Sequence, residues 1–119
     1  MTNPNDLKKL QDEIEKFVRE RDWQPFHSPK NLAMALSVEV AELAEIFQWL
    51  TQDESRRPDS QKLLHIEEEI GDVMIYLTTL AMQLGLDPIQ AAEKKMVKNR
   101  LKYPVPTQES SHCEDSTLS

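Results

Sequence analysis

Five acidic residues in two segments of the sequence are spaced so that they could bind a metal ion together. They are Glu39, Glu42 and Glu45 in SVEVAELAEIFQW, and Glu69 and Asp72 in EEIGDVMIYL. Residues three apart lie on neighbouring turns of one helix face, where like charges repel by about 0.2–0.5 kcal/mol. The apolar residues around them place these carboxylates at the border of a core, where an unpaired charge is costly. A divalent cation shared by the two segments would remove both penalties, so the pattern predicts a metal site.

The ligand types indicate which metal this site would take. Carboxylate oxygens suit Mg²⁺ or Mn²⁺ rather than zinc or copper. A di-iron site of the ferritin type would require Glu-x-x-His on the core helices. The match at Glu109–His112 falls in a polar C-terminal segment and is excluded, and His65 is expected at the surface. Mg²⁺ held by carboxylates keeps positions open for water and phosphate oxygens, which indicates phosphate chemistry.

Other interpretations of the acidic pattern remain open at this point. A single Glu-x-x-Glu pair is usually a solvated helix face, and a solvated face is also what we expect for Glu67 and Glu68. Two acidic pairs on consecutive helices, one inside an apolar run, favour the metal site instead. The main rival is a non-enzymatic helical adaptor whose aromatic residues and acidic stripe bind a partner protein. A second rival is a metal-dependent phosphohydrolase acting on a dinucleotide or a cyclic nucleotide.

A run of positive charge follows the acidic segments. Between residues 94 and 102 the basic residues are Lys94, Lys95, Lys98, Arg100 and Lys102, with no acid among them. Lys95, Asn99 and Lys102 share one helix face. The run could simply complement the dipole at the C-terminus of a helix. Beside an acidic metal cluster, however, it favours a polyphosphate substrate.

The aromatic residues near helix ends are candidates for binding a base. Trp23, Phe26 and Trp49 have polar neighbours in the sequence. Such rings stack on nucleobases with about 1–3 kcal/mol per base, or they close the ends of a helical bundle. His27 could cap the next helix locally or meet a base edge or a phosphate. Phe26, His27 and Asn31 are therefore included among the candidate substrate-binding residues.

Four helices must position these residues. Capping side chains stand at Asn3-Pro4, Ser28-Pro29, Asp59-Ser60 and Asp87-Pro88; such residues mark helix starts. The predicted helices run from the first start to about residue 21, from 29 to about 50, from 61 to 84 and from 89 to 102, with a polar connector at 52–60. The pattern predicts an all-α, four-helix bundle-like fold. The third helix is apolar on nearly all sides, so it is either buried among the others or lies at a subunit interface.

Composition narrows the class of protein. The chain has 119 residues, a net charge of −7, two glycines and one cysteine, Cys113. This length fits one domain, which we expect at residues 1–104, and residues 105–119 are expected to form a disordered acidic tail. The apolar stretches are too short to span a membrane, and the net charge argues against binding a nucleic-acid polymer. A single cysteine is typical of a reducing, cytoplasmic compartment.

Four segments, taken in order and at this spacing, resemble a known family. They are ERDWQPFHSPKNL, EVAELAEIFQW, EEIGDVMIYL and KKMVKNRLKYP, within about residues 7–104. This pattern is similar to the MazG-like all-α nucleoside triphosphate pyrophosphohydrolases, and within them to the dCTP pyrophosphatase branch. The resemblance implies Mg-dependent hydrolysis of a (deoxy)nucleoside triphosphate, dCTP or a related dNTP, to the monophosphate and pyrophosphate, as nucleotide-pool housecleaning.

The resemblance also implies roles for particular residues. It implies that Mg²⁺ is held by Glu39, Glu42, Glu69 and Asp72. It implies that phosphates and sugar are bound by Lys95, Asn99, Arg100, Tyr76 and Tyr103, and that the base lies between Trp23 and Trp49. One departure is visible, since Ile14 stands where some relatives carry a histidine near the base.

The resemblance further implies a mechanism and an assembly of several subunits. Water attacks in line with metal assistance while a carboxylate removes its proton, and Glu45 is a candidate for that base or for a second metal. Relatives form dimers or dimers of dimers whose sites are built across subunits. We therefore expect a homo-oligomer.

Overall fold

The computed structural model describes residues 5–106, and over this range the chain is folded into helices without strands. The helices are α1 (Asp6–Glu20), α2 (Pro29–Phe47), α3 (Gln52–Ser55), α4 (Ser60–Gln83) and α5 (Pro88–Lys102), with a 3₁₀ turn at Gln24–Phe26. The predicted all-α class is confirmed. Within the described range, no helix is both long enough and apolar enough to cross a membrane. Residues 107–119, most of the predicted acidic tail, lie outside the described residues.

Two of the predicted helix starts are made by the expected side chains. The Ser28 hydroxyl accepts a hydrogen bond from the Asn31 amide at 3.1 Å, with Pro29 at the first helical position of α2. The Asp59 carboxylate accepts from the Lys62 amide at 2.7 Å and begins α4. Each bond satisfies a donor that the first turn of a helix leaves without a partner. The caps thus fix where the two longest helices begin.

The predicted cap of α1, the Asn3-Pro4 pair, lies outside the described residues. Within them α1 begins at Asp6, with Asn5 at the capping position. The Asn5 carbonyl accepts from the Lys9 amide at 3.0 Å, which closes the first helical turn at that residue. Within the described residues, the Asn5 carbonyl therefore makes the first α-helical hydrogen bond of α1.

The connector predicted at 52–60 contains a short helix, α3, that was not predicted. The Thr51 hydroxyl accepts from the Glu54 amide at 3.1 Å, and the Glu54 carboxylate accepts from the Thr51 amide at 2.9 Å. This reciprocal pair is a capping box, and its Thr-x-x-Glu pattern was present in the sequence. The capping box begins α3, the short helix that follows α2 and precedes α4 in the chain.

The contacts of the chain define two units, 1–88 and 89–119. In the first unit α4 packs along α2 and also contacts α1. Leu32 of α2 and Thr78 of α4 are 1% and 0% exposed and mark the centre of this packing. The second unit contains α5 from Ile89 onward.

One face of α4 is more exposed than expected. Ile70, Met74 and Leu77 are 54%, 42% and 41% exposed in the single chain. Burial among the other helices, one of the two expected explanations for this apolar helix, is therefore wrong for this face. The other explanation, a subunit interface, stays a prediction. It agrees with the general rule that large exposed apolar surfaces often mark interaction sites.

Candidate metal centre and adjoining aromatic pocket

Three of the predicted carboxylates come together between α2 and α4. One oxygen each from Glu39, Glu69 and Asp72 lies within 4.8 Å of the others. The packing of α2 along α4 brings Glu39 to the second pair, while the spacing of three along α4 places Glu69 and Asp72 on one face. We call these three residues the carboxylate group.

Two oxygens of the carboxylate group are buried without a hydrogen-bond partner in the described structure, Oε1 of Glu39 and Oε1 of Glu69. A buried acceptor left unsatisfied costs about 1–3 kcal/mol. An all-oxygen set with this spacing fits a hard divalent cation, whose bonds to oxygen are about 2.0–2.6 Å long. The residues present therefore fit Mg²⁺ or Mn²⁺.

Burial, together with neighbouring negative charge, perturbs Glu39. Burial raises the pKa of Glu39 from 4.5 to about 7, with further contributions from a hydrogen bond with Glu69 and from the charges of Glu42, Asp72 and Glu69. Without a cation, the raised pKa favours the protonated form of Glu39 below about pH 7, in which its carboxyl can donate a hydrogen bond to Glu69. A bound cation has to displace that proton, so cation binding is coupled to pH.

Glu42 and Glu45 are placed differently from Glu39. Both are exposed and line a shallow depression on α2 together with Val38 and Ala41. Among the described residues, Glu42 is not part of the carboxylate group, although its charge contributes to the raised pKa of Glu39. The roles predicted for Glu42 as a ligand and Glu45 as a base remain predictions.

His65 contacts the carboxylate group from the solvent side. It is exposed, as expected, but its Nε2 lies 3.5 Å from Oε2 of Glu69. Side chains that touch metal-binding carboxylates from outside commonly orient them. The sequence predicted a surface position for His65 and not this contact, although the spacing of four between His65 and Glu69 is a signal for it.

A cavity of about 410 Å³ adjoins the carboxylate group at Asp72. It lies between α1, α4 and the segment that joins α1 to α2, and we call it the aromatic pocket. Its aromatic and polar lining comprises Glu13, Phe17, Trp23, His27, Asp72, Tyr76 and Thr79. Among these, Glu13, Phe17 and Thr79 were not predicted as site residues, because their place in the wall depends on how α1 packs against α4. Asp72 belongs to both the pocket and the carboxylate group.

The wall that carries Trp23 is held by local contacts. The Trp23 and Phe17 rings meet edge to face, with centroids 5.5 Å apart at 73°. The Arg21 guanidinium lies 3.6 Å from the centre of the Phe17 ring, a cation–π arrangement. Asp22 adopts φ 53°, the left-handed conformation that turns the chain sharply after α1. The Trp23 amide then donates to the Val18 carbonyl at 3.1 Å.

Phe26, His27 and Asn31, the predicted candidates that follow Trp23, have different roles in the structure. The Asn31 side chain donates to the Phe26 carbonyl at 3.0 Å and so braces the loop. Phe26 itself is exposed and is absent from the wall of the aromatic pocket. Ser28 makes the cap of α2, which leaves the His27 side chain free of that task. Of the two possibilities for His27, a local cap is not what the structure shows, and contact with a base edge or a phosphate stays a prediction.

Trp49 is 86% exposed in the single chain and does not line the aromatic pocket. It follows the end of α2, where little of its own chain covers it. The expected position of a base between Trp23 and Trp49 is therefore not formed by one chain alone. Tyr76, in contrast, lies in the pocket wall as a half-buried residue.

The remaining predicted residues belong to the second unit. Lys95, Asn99 and Arg100 lie on α5, and the Tyr103 amide donates to the Asn99 carbonyl at 2.7 Å just after its end. The Lys102 ammonium lies 5.4 Å from the centre of the Tyr103 ring. Except for half-buried Asn99 these side chains are exposed. Their expected contacts with phosphates and sugar remain predictions.

Comparison with known proteins identifies the class. A sequence model of the MazG-like family matches residues 34–116, and the chain belongs to that family. It is 41% identical over 116 residues to dCTP pyrophosphatase 1 of Mus musculus, covering 95% of this chain and 66% of the relative. It is 42% identical over 108 residues to dCTP pyrophosphatase 1 of Homo sapiens, covering 89% and 62%. The chain thus spans less than two thirds of the length of these relatives.

A solved crystal structure supports the same assignment. A pyrophosphatase from Archaeoglobus fulgidus is 42% identical and superposes with a TM-score of 0.80, covering 87% of this chain and 97% of that one. The family resemblance expected from the sequence is confirmed, and so is the helical fold.

Proposed function

We propose that this chain hydrolyses a deoxynucleoside triphosphate, dCTP or a related dNTP, to the monophosphate and pyrophosphate in the presence of Mg²⁺. The observation that carries the proposal is the carboxylate group, with its two buried, unpartnered oxygens, sharing Asp72 with an aromatic pocket. A cation site next to a pocket for a flat ring is the arrangement that a nucleotide requires.

The names of the relatives support this choice of reaction. Two of them are called dCTP pyrophosphatase 1, and the archaeal structure is described as a pyrophosphatase. The matched regions include the carboxylate group. Neither rival, the helical adaptor or an enzyme acting on dinucleotides or cyclic nucleotides, has comparable support.

Cation binding and base binding are assigned to different residues. Glu39, Glu69 and Asp72 would hold the cation, with Glu42 as a fourth candidate from the next turn of α2. A bound Mg²⁺ supplies positive charge that neutralises phosphate oxygens. The pocket wall formed by Trp23 and Tyr76 holds the base end of the nucleotide, next to Asp72. The triphosphate is thereby oriented with its phosphates at the carboxylates.

The chemical step needs a base for the attacking water. Water attacks the α-phosphorus, the bond to the oxygen bridging the α- and β-phosphates breaks, and pyrophosphate leaves. A carboxylate accepts the proton of the water; exposed Glu42 and Glu45 are the candidates on α2. Lys95, Asn99, Arg100 and Tyr103 are proposed to bind phosphates and sugar on the basis of the sequence resemblance.

We further propose that the protein acts as a homo-oligomer, a dimer or a tetramer. The exposed apolar face of α4 and the exposed ring of Trp49 support this. In such an assembly, Trp49 of one protomer would cover the aromatic pocket of another. Residues 1–104 are proposed as the working domain and 105–119 as an acidic tail, in a protein of the cytoplasm with no membrane or nucleic-acid polymer as partner.

A substrate panel tests the reaction. Deoxynucleoside and ribonucleoside triphosphates are incubated with Mg²⁺, with Mn²⁺ or with EDTA, and monophosphate, pyrophosphate and orthophosphate are quantified. We expect equal amounts of monophosphate and pyrophosphate with either cation and none with EDTA. Release of orthophosphate would contradict the reaction proposed. If no triphosphate, dinucleotide or cyclic nucleotide is hydrolysed, the adaptor interpretation takes its place.

A matched pair of variants ties the reaction to the site. Glu69→Gln removes one member of the carboxylate group, while Glu68→Gln changes the adjacent, exposed residue in the same way. Activity should be lost in the first variant and kept in the second, with unchanged helical circular dichroism in both. Equal activities would disconnect the carboxylate group from the reaction.

A further inference from the structure

The two carboxylate oxygens of Glu69 have different surroundings. Oε1 is buried and has no hydrogen-bond partner in the described structure. Oε2 lies 3.5 Å from Nε2 of His65, which comes one helical turn earlier on α4. The Glu69 side chain is 11% exposed, whereas that of His65 is 56% exposed. One oxygen is therefore left for a ligand of the carboxylate group, and the other is contacted from the solvent side.

The contact between His65 and Glu69 differs from ion pairs on the surface. Five other ion pairs among residues 5–106 join side chains that are all at least 42% exposed. Pairs of this kind contribute little free energy, because water and salt screen their charges. The His65–Glu69 contact instead joins an exposed ring to a nearly buried member of the carboxylate group. Its effect on Glu69 is therefore less weakened by solvent.

His65 has two glutamates within reach on its own helix. Residues three and four apart are neighbours on a helix surface, so exposed Glu68 and nearly buried Glu69 are both accessible. The structure pairs His65 with Glu69. A neutral ring with its hydrogen on Nε2 can make this contact as well as a charged ring can. The contact is longer than an ordinary N–H···O hydrogen bond, and such contacts often shorten when an empty site takes up its ligand.

We propose that His65 is a positioning residue for the cation: its Nε2 holds Oε2 of Glu69 and leaves Oε1 to bind the metal. A glutamate side chain has several rotatable bonds, and fixing one oxygen lowers the conformational entropy that is lost when the other oxygen binds. The inference rests on the proposed function in that the carboxylate group binds Mg²⁺ or Mn²⁺. It adds a residue that acts on the cation through Glu69.

Cation binding in the absence of nucleotide measures this role directly. Mg²⁺ is titrated calorimetrically into the metal-free protein, and Mn²⁺ binding is followed by the loss of the electron paramagnetic resonance signal of the free ion. His65→Ala should weaken both affinities about tenfold, the lower end of the usual effect of such partners, because His65 is exposed. Unchanged affinities would overturn the inference. Tighter binding would overturn it too, since His65 would then act only as a positive charge that repels the cation.

Two further substitutions separate the hydrogen on Nε2 from the bulk and charge of the ring. The side-chain amide nitrogen of glutamine falls near the position of Nε2, so His65→Gln should keep most of the cation affinity. The asparagine side chain is too short to reach Glu69, so His65→Asn should lose as much affinity as His65→Ala. Equal losses in His65→Gln and His65→Asn would overturn the inference.

Lys8→Ala is the matched control for the loss of an ion pair. Lys8 and Asp12 on α1 form an exposed pair with the same spacing of four, and neither belongs to the carboxylate group. Lys8→Ala should leave the cation affinity unchanged. A merely structural role of His65 would lower the melting temperature of the metal-free His65→Ala protein without changing its cation affinity, and this result would overturn the inference.

Steady-state kinetics keep the inference distinguishable from the proposed function. His65→Ala should raise the Mg²⁺ concentration for half-maximal rate about tenfold, while kcat at saturating Mg²⁺ stays close to that of the wild type. Weaker cation binding in His65→Ala would support the role of His65 even if no triphosphate were hydrolysed. Hydrolysis with the same Mg²⁺ dependence in wild type and His65→Ala would overturn the role of His65 and leave the proposed function standing.

Discussion

Glu39 of α2 and Glu69 of α4 are neighbouring carboxyl groups, and each keeps one buried oxygen without a hydrogen-bond partner in the described structure. The helices that carry them, α2 and α4, are also the two that pack together most extensively. Packing α2 along α4 therefore places two acidic groups where water cannot fully solvate them. A shared proton lowers this cost in the absence of a cation, and a bound cation would replace that proton.

The raised pKa of Glu39 predicts how stability depends on pH. Between its ordinary value of 4.5 and about 7, the folded chain holds a proton that the unfolded chain has lost. The free energy of unfolding should therefore fall as the pH rises through this window, by at most about 3 kcal/mol at 1.36 kcal/mol per pKa unit. Thermal melts in EDTA from pH 4.5 to 7.5 measure the change.

Glu39→Gln is the control for this pH dependence, because the amide cannot titrate. Its melting temperature should vary less with pH than that of the wild type. Mg²⁺ at pH 7.5 should raise the melting temperature of the wild type, since a ligand that binds the folded state stabilises it. Parallel pH profiles of the two proteins would show that Glu39 does not titrate in this window.

Asp72 is predicted to be indispensable for turnover. It is exposed, belongs to the carboxylate group and lines the aromatic pocket, so its removal affects the cation without opening a buried cavity. Asp72→Asn should lower kcat by about 100-fold or more while the melting temperature stays within a few degrees. Steady-state pyrophosphate release and calorimetric Mg²⁺ titration measure the two effects.

Glu42→Gln tests the second role of α2 in the proposed site, and Asp53→Asn is its control. If Glu42 is the fourth ligand, Glu42→Gln should abolish turnover and weaken Mg²⁺ binding; loss of turnover with unchanged Mg²⁺ affinity would identify it as the base. Asp53→Asn, at an exposed carboxylate of α3, should change neither. Normal turnover in both Glu42→Gln and Asp72→Asn would refute the metal site.

Much of the carboxylate group was predictable from the sequence, because its determinants are local. The spacing of three puts Glu69 and Asp72 on one face of a helix, and the caps at Ser28 and Asp59 fix where α2 and α4 begin. That Glu39 rather than Glu42 meets the other pair depends on how α2 rotates against α4. Such a rotation follows from packing between distant residues, which spacing along the chain does not reveal.

The aromatic pocket was less predictable for the same reason. Trp23 and Tyr76 were expected to bind the nucleotide, yet Glu13 and Thr79 enter the wall only because α1 packs against α4. The α3 helix is a different case, since its signal is local: the capping box of Thr51 and Glu54 can be read directly from the Thr-x-x-Glu pattern.

The cap at Ser28 is predicted to stabilise both α2 and the loop before it. Its hydroxyl accepts from the Asn31 amide, and Asn31 also holds the Phe26 carbonyl next to His27. Ser28→Ala should reduce the free energy of unfolding by about 1 kcal/mol. KM should rise as well, because the segment that carries Trp23 and His27 is less well held. Urea denaturation and steady-state kinetics measure the two changes.

Ser37→Ala is the matched control on the same helix. The Ser37 hydroxyl is exposed and donates to the Met34 carbonyl of its own helix. Alanine is the better helix former in a helix interior, so this variant should be neutral or slightly stabilising. Equal losses of stability in Ser28→Ala and Ser37→Ala would argue against a capping role.

Trp49 is predicted to contribute to function and not to the stability of the single chain. Its ring is 86% exposed, so Trp49→Ala removes little buried surface. If the ring covers the pocket of a neighbouring protomer, the variant should raise KM several-fold and reduce discrimination among bases, since stacking contributes about 1–3 kcal/mol per base. Kinetics on the substrate panel and a thermal melt of the variant measure these effects.

Trp23→Ala provides the contrast within the same chain. Trp23 packs against Phe17 and lines the pocket, so its loss should lower both the melting temperature and the affinity for nucleotide. Sedimentation of the Trp49→Ala protein should still show the oligomer, because the apolar face of α4 is intact. If Trp49→Ala instead lowers the melting temperature and leaves base discrimination unchanged, Trp49 supports the assembly and does not contact the base.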